Sequence, residues 1–322
     1  MEKGKIKDSI YDRSVRRPME PVLDMGGGLV RDQGSFGLSN MQVCTAQSSV
    51  CGGSGHEPAL ALAQCAGRLA AMGAGIRHAD LTLLVSEALP ESLLKAAVKE
   101  LAVLAAALGI TIGSCDARGI PSMQGLTAVC MAVGEAESLF VPEEPAQDQD
   151  VIMAGYAGLA GSLQIAADRE AELEAHFNPA FLEPVLALSG SDFAGTGAAA
   201  VAAQAGVRCM LSCGEGGIFT GLWEMAKRSG IGIRADLPSV LLRQETVEIC
   251  DFYDISPYQL YSGGTLLMCT DHGQKVLDAF RAVHIPAAVI GHMSSDRDRV
   301  VLNEDEQRFL EPFRGDSGDK MI

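Results

Sequence analysis

The first half of the chain combines short apolar runs with a stretch of helical periodicity. Small apolar residues recur at helical spacing over residues 57–74, and glycines follow as they do at helix ends. LTLLVS (81–86) and ITIGS (110–114) have the pattern of strands, and residues 90–109 between them have a helical apolar face that opens with Pro90. The pattern predicts a strand, helix, strand unit beside a closely packed helix.

The second half repeats this alternation. The apolar runs VIMAG, GVRCMLS, IGIRAD, TLLMCT and PAAVIG predict strands. Helical periodicity separates them near residues 162–175, 194–205, 216–229, 240–252 and 273–283. Alternating strands and helices predict a second α/β domain.

Three segments lack an apolar period. Residues 26–40 are rich in glycine and polar side chains and predict a mobile loop, and the polar residues 313–322 predict a frayed tail. Two prolines and many acidic or amide side chains predict a linker at 141–150. The predicted division is an arm with a glycine-rich loop (1–40), an N-terminal domain (41–140), the linker (141–150) and a C-terminal domain (151–322).

Charge and composition narrow the function classes. A net charge of −16 opposes binding to nucleic acid or to an anionic membrane surface, and we expect neither partner. The longest uncharged apolar run, residues 101–113, is too short to cross a bilayer, and the first residues lack the apolar core of a signal peptide. We therefore expect a cytoplasmic protein whose nine cysteines are reduced.

Two glycine clusters could bind an anion through converging backbone N–H groups. Gly216 and Gly217 open a predicted helix, whose dipole favours an anion, and a triple glycine starts at Gly26. The alternative is structural, because glycines also give loops their freedom and let a helix pack closely on a strand.

The segment GEGGIFTGLWEMAKRSGIGIRADLPSVLLRQETVEICDFYDISPYQLYSGGTLLMCT (214–270) resembles the AIR synthase-related superfamily, nearest to its hydrogenase maturation factor-like branch. GKIKDSIYDRSVRRPM, GLAGSLQIAAD and RVVLNEDEQRFLEP extend the resemblance over nearly the whole chain. It implies a two-domain α/β fold that dimerises through the N-terminal domains. It also implies ATP and magnesium in a cleft that faces the dimer interface, and phosphorylation of a substrate oxygen or a small acceptor.

The resemblance also shows where this sequence departs from the family. At three positions where the family has an acidic residue beside the metal, this sequence has Ala46, Arg68 and Ser212. The family's acidic residue is kept at Asp32, and Asp116 is an acidic residue that the family lacks. The chain ends in KMI, without the C-terminal cysteine that carries the transferred group in hydrogenase maturation enzymes. Phosphoryl transfer needs carboxylates around magnesium, so the resemblance implies a kept fold with a weakened metal site.

By this resemblance a set of residues borders the nucleotide or anion cleft: Gly26, Gly27, Gly28, Asp32, Thr45, Arg68, Gly113, Asp116, Glu215, Gly216 and Gly217. Arg68 could replace magnesium as a countercharge or could pair with a nearby acid. Four cysteines fall on the same loops and could hold a metal or an iron–sulfur cluster, or could be scattered small buried residues: Cys44, Cys51, Cys115 and Cys213.

Three functions stay open from the sequence. The first is a binding or assembly subunit with a degraded Mg-ATP site, acting in metalloenzyme or sulfur-related maturation. The second is an active ATP-dependent enzyme that uses Asp32, Asp116 and Glu215 as a rearranged metal set. The third is a thiol-lined cleft for a metal or a cluster. Expected partners are a second copy, an intact paralogue or proteins of a maturation complex, and no catalytic residue is assigned.

Overall fold

The computed structural model describes residues 33–38, 41–121, 123–136, 142–304, 306–312 and 315–320, with the backbone alone for 33–38. These residues form one five-stranded and one seven-stranded sheet with helices packed on them. The predicted α/β fold class is confirmed. The domain boundaries stay predictions, although residues 142–149 in the expected linker have neither helix nor strand.

The N-terminal sheet has the strand order β1-β2-β5-β3-β4. β3 and β4 are parallel and joined through α2, which confirms the predicted strand, helix, strand unit; the other neighbours are antiparallel. α2 ends at Gly109, whose left-handed φ of 65° suits glycine. The elements are β1 (Gln33–Leu38), β2 (Met41–Gly52), α1 (Glu57–Ala71), β3 (Ala74–Ser86), α2 (Glu91–Leu108), β4 (Thr111–Ile120) and β5 (Leu126–Ala136).

The C-terminal sheet has the order β12-β11-β8-β10-β6-β9-β7, and only β8 and β11 among its described neighbours are parallel. Its strands are β6 (Asp150–Ala154), β7 (Cys209–Ser212), β8 (Gly232–Asp236), β9 (Leu266–Thr270), β10 (Ala287–Ser294), β11 (Arg299–Asn303) and β12 (Glu306–Phe309). Its helices are α3 (Leu159–Asp168), α4 (Glu170–Glu174), α5 (Pro179–Leu186), α6 (Thr196–Gln204), α7 (Gly217–Ser229), α8 (Gln244–Phe252) and α9 (Gly273–Ala282).

Helix α1 lies between the two halves of the molecule. Thirteen of its fifteen residues are buried, most of them Ala, Leu or Gly. A Cβ on Gly190 would lie 2.5 Å from the Cβ of Ala59, and one on Gly67 would lie 2.8 Å from the Ser212 hydroxyl. Small side chains therefore let the C-terminal domain approach the helix, and the apolar core runs continuously from the N-terminal sheet through α1 to α3.

The two faces of the seven-stranded sheet have separate cores. One face packs against α7 and contains Ile218, Leu222 and Met225. The other packs against α6 and α9 and contains Phe280, which is fully buried. The predicted strands and helices of this half are confirmed in type and order, with the stretch near 162–175 split into α3 and α4 at Arg169.

Two predictions for irregular segments are wrong. Within the expected mobile loop 26–40, residues Gln33–Leu38 pair antiparallel with β2, because an edge strand is stabilised by backbone hydrogen bonds that need no apolar period. Within the expected frayed tail, Asp316 and Ser317 are buried and Ser317–Lys320 form a 3-10 turn. The sequence also gave no sign of α5, whose eight residues include Pro184.

No single helix among the described residues is long and apolar enough to cross a membrane. The bent pair Pro179–Leu186 and Gly190–Gln204, whose axes differ by 66°, passes this test of length and composition only when both parts are joined.

Candidate functional site

Helix α1 packs against the loop between β7 and α7, in the region that the resemblance assigns to the nucleotide cleft, and we call this region the cleft. One wall is the face of α1 that carries Gln64 and Arg68. The opposite wall is residues 212–217 together with residues 260–264, which are joined by the hydrogen bond from the Ser262 N–H to the Gly214 carbonyl at 3.0 Å. The chemistry implied by the resemblance would take place here.

A chain of side-chain hydrogen bonds crosses this cleft. The Gln64 amide donates to the Ser212 hydroxyl at 3.3 Å, and the Tyr261 hydroxyl donates to the Gln64 carbonyl oxygen at 3.2 Å. Gln64 is 1% exposed, and burial raises the pKa of Tyr261, so these groups interact as neutral donors and acceptors. Ser212 and Gln64 therefore satisfy each other where the resemblance expects a carboxylate.

The glycine loop at the start of α7 is shaped by close backbone packing. Gly217 has a φ of +64°, and a Cβ at this position would overlap the carbonyl oxygen of Tyr258. The Gly217 N–H donates to the Gly214 carbonyl at 3.1 Å. Only glycine fits this turn, so Gly217 has the structural role that the sequence left open. The Gly216 N–H donates to a different acceptor.

That partner is the carboxylate of Asp316, which the sequence analysis had placed in a frayed tail. It accepts from the N–H groups of Gly216 at 2.6 Å, Gly318 at 2.8 Å and Tyr261 at 3.2 Å. Burial raises the pKa of Asp316 to about 7; the bonds from Gly216 and Gly318 oppose the rise, and Asp319 and Glu215 add to it. The anion position of this helix terminus is thus occupied by the chain itself.

A second buried carboxylate lies at the start of α1. Glu57 accepts from the Ser54 N–H at 2.9 Å, the Ser54 hydroxyl at 2.6 Å and the Gly55 N–H at 2.9 Å. Burial raises its pKa, and the bonds from Ser54 oppose the rise. Glu57 therefore holds the loop between β2 and α1 in place.

Arg68 and Thr45 lie at the edge of the same region. The Arg68 guanidinium donates to the carbonyl oxygen of Gln47 on β2, and Thr45 is half-buried on that strand. Ala46 lies between Thr45 and Gln47, fully buried on the inner face of the sheet. The three positions that the resemblance assigns to metal-side acids thus carry a methyl group, a guanidinium and a hydroxyl.

Gly113 and Asp116 lie on β4, at the edge of the N-terminal sheet. Asp116 is solvent-exposed and pairs with Arg118 at 2.8 Å, and this hydrogen bond and charge lower the pKa of Asp116. Two strands separate β4 from β2, so Asp116 is at least about 14 Å from Gln47 at the usual strand spacing. Within one chain, Asp116 therefore does not lie beside Ala46, the position where the resemblance expects an acidic residue.

The four candidate metal-binding cysteines are dispersed. Cys44 and Cys51 lie near opposite ends of β2, about 23 Å apart at about 3.3 Å per residue, and Cys115 lies on β4. Cys213 is buried beneath α7, where a Cβ on Gly221 would lie 3.0 Å from its sulfur. No group of three or more His, Cys, Asp or Glu suited to a metal occurs in the described part of the chain.

The pKa shifts of these four cysteines also argue against a metal site. Burial is the first cause that raises the pKa of Cys44, Cys51, Cys115 and Cys213. Metal binding and nucleophilic attack need the thiolate, which these environments disfavour.

The remaining candidates, Gly26, Gly27, Gly28 and Asp32, lie outside the described residues. Sequence reasoning missed Gln64, Glu57, Tyr261 and Asp316. A polar Gln64 within the apolar run ALALAQCAG was the one available signal, because a polar side chain on a buried helix face needs a partner.

Comparison with known proteins bears on the C-terminal half most directly. Residues 194–303 match the sequence model of the family "AIR synthase related protein, C-terminal domain". These residues include β7, α7, β8 and the loop that holds Gly216. Residues 194–303 therefore resemble the C-terminal domain of AIR synthase-related proteins.

Individual relatives agree with this assignment. The carbamoyl dehydratase HypE of Azotobacter vinelandii is 30% identical over 111 residues, which span 33% of this chain and 33% of that enzyme. A crystal structure of HypE in complex with ATP has a TM-score of 0.67 at 17% identity, covering 99% of this chain and 98% of the other. A HypE–HypF complex structure has a TM-score of 0.66 at 16% identity, covering 87% and 93%. The predicted resemblance to the hydrogenase maturation-like branch is confirmed, and the structural matches establish the shared fold.

Proposed function

We propose that this protein is a binding or assembly subunit of a maturation system, with a cleft that no longer supports Mg-ATP chemistry. The observation that carries the proposal is the hydrogen-bonded chain Ser212, Gln64 and Tyr261. It supports a cleft stabilised by neutral side chains, since each of these groups has a partner without a metal. Magnesium prefers carboxylate and phosphate oxygens, and Gln64 and Ser212 present an amide and a hydroxyl where the resemblance expects a carboxylate.

The first test is a calorimetric titration of the reduced protein with ATP, with and without magnesium. We expect no binding that depends on magnesium and no nucleotide hydrolysis. A Gln64→Ala variant opens the cleft without adding an acid, and it should stay inactive. Tight Mg-ATP binding with turnover by the wild-type protein would refute the proposal.

The active-enzyme alternative has its own discriminating variants. If hydrolysis is found, Asp32→Asn, Asp116→Asn and Glu215→Gln test the rearranged metal set, and Asp278→Asn on the exposed face of α9 is the matched control. Loss of hydrolysis in the first three with an unchanged control would establish the alternative. The position of Asp116, exposed and paired with Arg118, argues against its part in that set.

We further propose that the protein pairs through the outer face of the N-terminal sheet, with a second copy or with an intact paralogue. Val129 and Met131 on β5 are 40% and 43% exposed, although β5 is the central strand. Apolar side chains on the open face of a central strand are typical of an interface. The HypE–HypF structure is a precedent for a complex with a maturation protein, and we propose a partner of that kind for this chain.

Sedimentation of the wild type and of Met131→Glu tests the pairing. We expect the variant to shift to a monomer, because a charge on the interface must be desolvated. Val103→Glu, at a 61% exposed position on α2, is the control and should sediment as the wild type does. A monomeric wild type would contradict pairing with a second copy, and then co-purification with a paralogue becomes the decisive measurement.

A further inference from the structure

Two cysteines face each other at the edge of the C-terminal sheet. Cys209 on β7 and Cys269 on β9 are direct antiparallel partners. In the same ladder the Cys213 N–H donates to the Thr265 carbonyl at 2.8 Å, which makes those two residues a hydrogen-bonded pair. The Cys209–Cys269 pair lies four residues along in the same phase, and such pairs have Cα atoms about 5.5 Å apart. This separation is within the range of disulfide-linked cysteines.

The side chains of the two cysteines are already in contact. Both belong to the apolar cluster beneath α7, and their thiols, which are free, form a hydrogen bond to each other. Strand β7 lies at the edge of the sheet, and β9 is its one hydrogen-bonded neighbour among the described strands. Because no second strand is bonded to β7, a small shift of β7 alone can bring the two sulfurs to bonding distance.

The surroundings give the two thiols different reactivity. The hydrogen bond with Cys269 lowers the pKa of Cys209; burial opposes this, and the positive charge of Arg228 on α7 lowers the pKa further. The same hydrogen bond, together with burial, raises the pKa of Cys269. Cys209 is also the more exposed thiol, at 6% against 3%. Since the thiolate is the nucleophile in thiol–disulfide exchange, Cys209 is the thiol that reacts first.

A short irregular segment lies beside Cys209. The Glu143 N–H donates to the Arg208 carbonyl at 3.1 Å, and the Glu144 carboxylate pairs with Arg228 at 3.3 Å. Residues 142–149 have neither helix nor strand, and the Glu144 side chain is 58% exposed. Segments with few buried contacts open at a lower free energy than the core does. Opening of this segment would admit a small reagent to Cys209.

We propose that Cys209 and Cys269 are a redox-active dithiol site, which a small-molecule disulfide of the glutathione type converts to a cross-strand disulfide. The Cys209 thiolate first attacks one sulfur of the reagent, which forms a mixed disulfide and releases one reagent thiolate. Cys269 then loses its proton to solvent and attacks the Cys209 sulfur, which expels the second reagent thiolate. The protein loses two electrons and two protons, and the reagent is reduced to two thiols.

The position of the pair links this chemistry to the rest of the domain. Strand β7 runs from Cys209 to Ser212, where the loop of the cleft begins. A disulfide at Cys209 would therefore tie the strand that carries this loop to β9. The inference itself concerns the thiol pair and does not rest on the proposed binding role.

Disulfide mapping of the wild-type protein tests the site. The reduced full chain is equilibrated with glutathione buffers of increasing oxidised fraction, alkylated, digested and mapped by mass spectrometry. We expect one intramolecular disulfide, between Cys209 and Cys269, which is lost again after treatment with dithiothreitol. A folded protein without this disulfide at any buffer composition would overturn the proposal.

A second pair of cysteines is the internal control. The Cys65 thiol donates to the Cys130 carbonyl at 3.6 Å, and both residues are fully buried between α1 and β5. Oxidation that proceeds through the unfolded chain would reach these two thiols as readily as the edge pair. We expect them to stay reduced, and their oxidation at the rate of Cys209 and Cys269 would overturn the proposal.

Single variants test which thiol attacks the reagent. We expect glutathione to accumulate on Cys209 in Cys269→Ala about tenfold faster than on Cys269 in Cys209→Ala. Cys250→Ala removes a buried thiol on α8 and should form the disulfide as the wild type does. Equal rates in the first two variants would overturn the role of Cys209.

The wild-type map needs no substitution, so it decides the proposal even where a variant does not fold. Neither experiment contains a nucleotide, a metal or a partner protein. Their outcome is therefore independent of the titration that tests the proposed function.

Discussion

The two buried carboxylates, Glu57 and Asp316, both accept hydrogen bonds from backbone N–H groups, but their donors lie at different distances along the chain. Both accept three hydrogen bonds, two or more of them from backbone N–H groups, and both have a raised pKa because of burial. The donors to Glu57 are at most three residues away, whereas Gly216 is 100 residues from Asp316. A local arrangement forms together with its helix, but a remote one can separate while the domains stay folded.

The largest expected effect is that of Glu57→Ala. It leaves the N–H groups of Ser54 and Gly55 without an acceptor inside the molecule, and we expect the free energy of unfolding to fall by about 3 kcal/mol. Urea denaturation measures this. Glu91→Ala, in the exposed first turn of α2, is the control and should change stability by less than about 0.5 kcal/mol. A loss below about 1 kcal/mol in Glu57→Ala would show that water replaces the carboxylate.

Asp316→Ala should cost less, about 1 to 2 kcal/mol at pH 6, because the C-terminal turn, residues 315–320, can leave and water can then solvate Gly216 and Tyr261. The same urea experiment provides the measurement. A loss of stability equal to that of Glu57→Ala would contradict the proposed difference between the local and the remote carboxylate. It would show that the remote contact breaks only when the whole protein unfolds.

The pH dependence sharpens the contrast. The folded pKa of Asp316, about 7, exceeds the ordinary 3.8, so the folded chain holds more protons between these values. Its contribution to stability is therefore complete below about pH 4 and is lost as pH rises through 7, by at most about 1.4 kcal/mol per pH unit. Glu215 and Asp319 raise the pKa of Asp316 further, and Asp316 in turn raises the pKa of the Cys250 thiol on α8.

Asp316→Asn cannot lose this proton, and its stability should fall less than that of the wild type between pH 5 and 7.5. Thermal denaturation at several pH values compares the two. Parallel curves for wild type and variant would mean that Asp316 does not titrate in this range. Glu57 has the same direction of shift and is present in both proteins, so the difference between the curves isolates Asp316.

The smallest effect is expected for Ser54→Ala. It removes the 2.6 Å hydroxyl bond to Glu57 and the 3.2 Å bond that the hydroxyl accepts from the His56 N–H, and it keeps the Ser54 N–H bond, so we expect a loss of about 1 kcal/mol. Ser191→Ala, at an exposed serine, is the control and should have no measurable effect. If Ser54→Ala matched Glu57→Ala, the hydroxyl alone would account for the stability of this loop.

The sequence predicted the regular elements well because their signals are local. The period of apolar residues identified α2, β3 and the C-terminal alternation. The edge strand Gln33–Leu38 and the C-terminal turn were missed because their stability comes from backbone partners elsewhere in the chain. For the cleft, motif positions predicted Arg68, Gly216 and Gly217 as bordering residues, and they gave no information on the bond between Gln64 and Ser212.

The sequence by itself determined the α/β class, the order of elements and the loss of acids at Ala46, Arg68 and Ser212, because residue identity and periodicity are properties of the chain. Only the tertiary structure decided that the candidate cysteines are dispersed and that Asp316 covers the start of α7. Those outcomes depend on which remote segments meet, and contacts between segments 100 residues apart leave no period in the sequence.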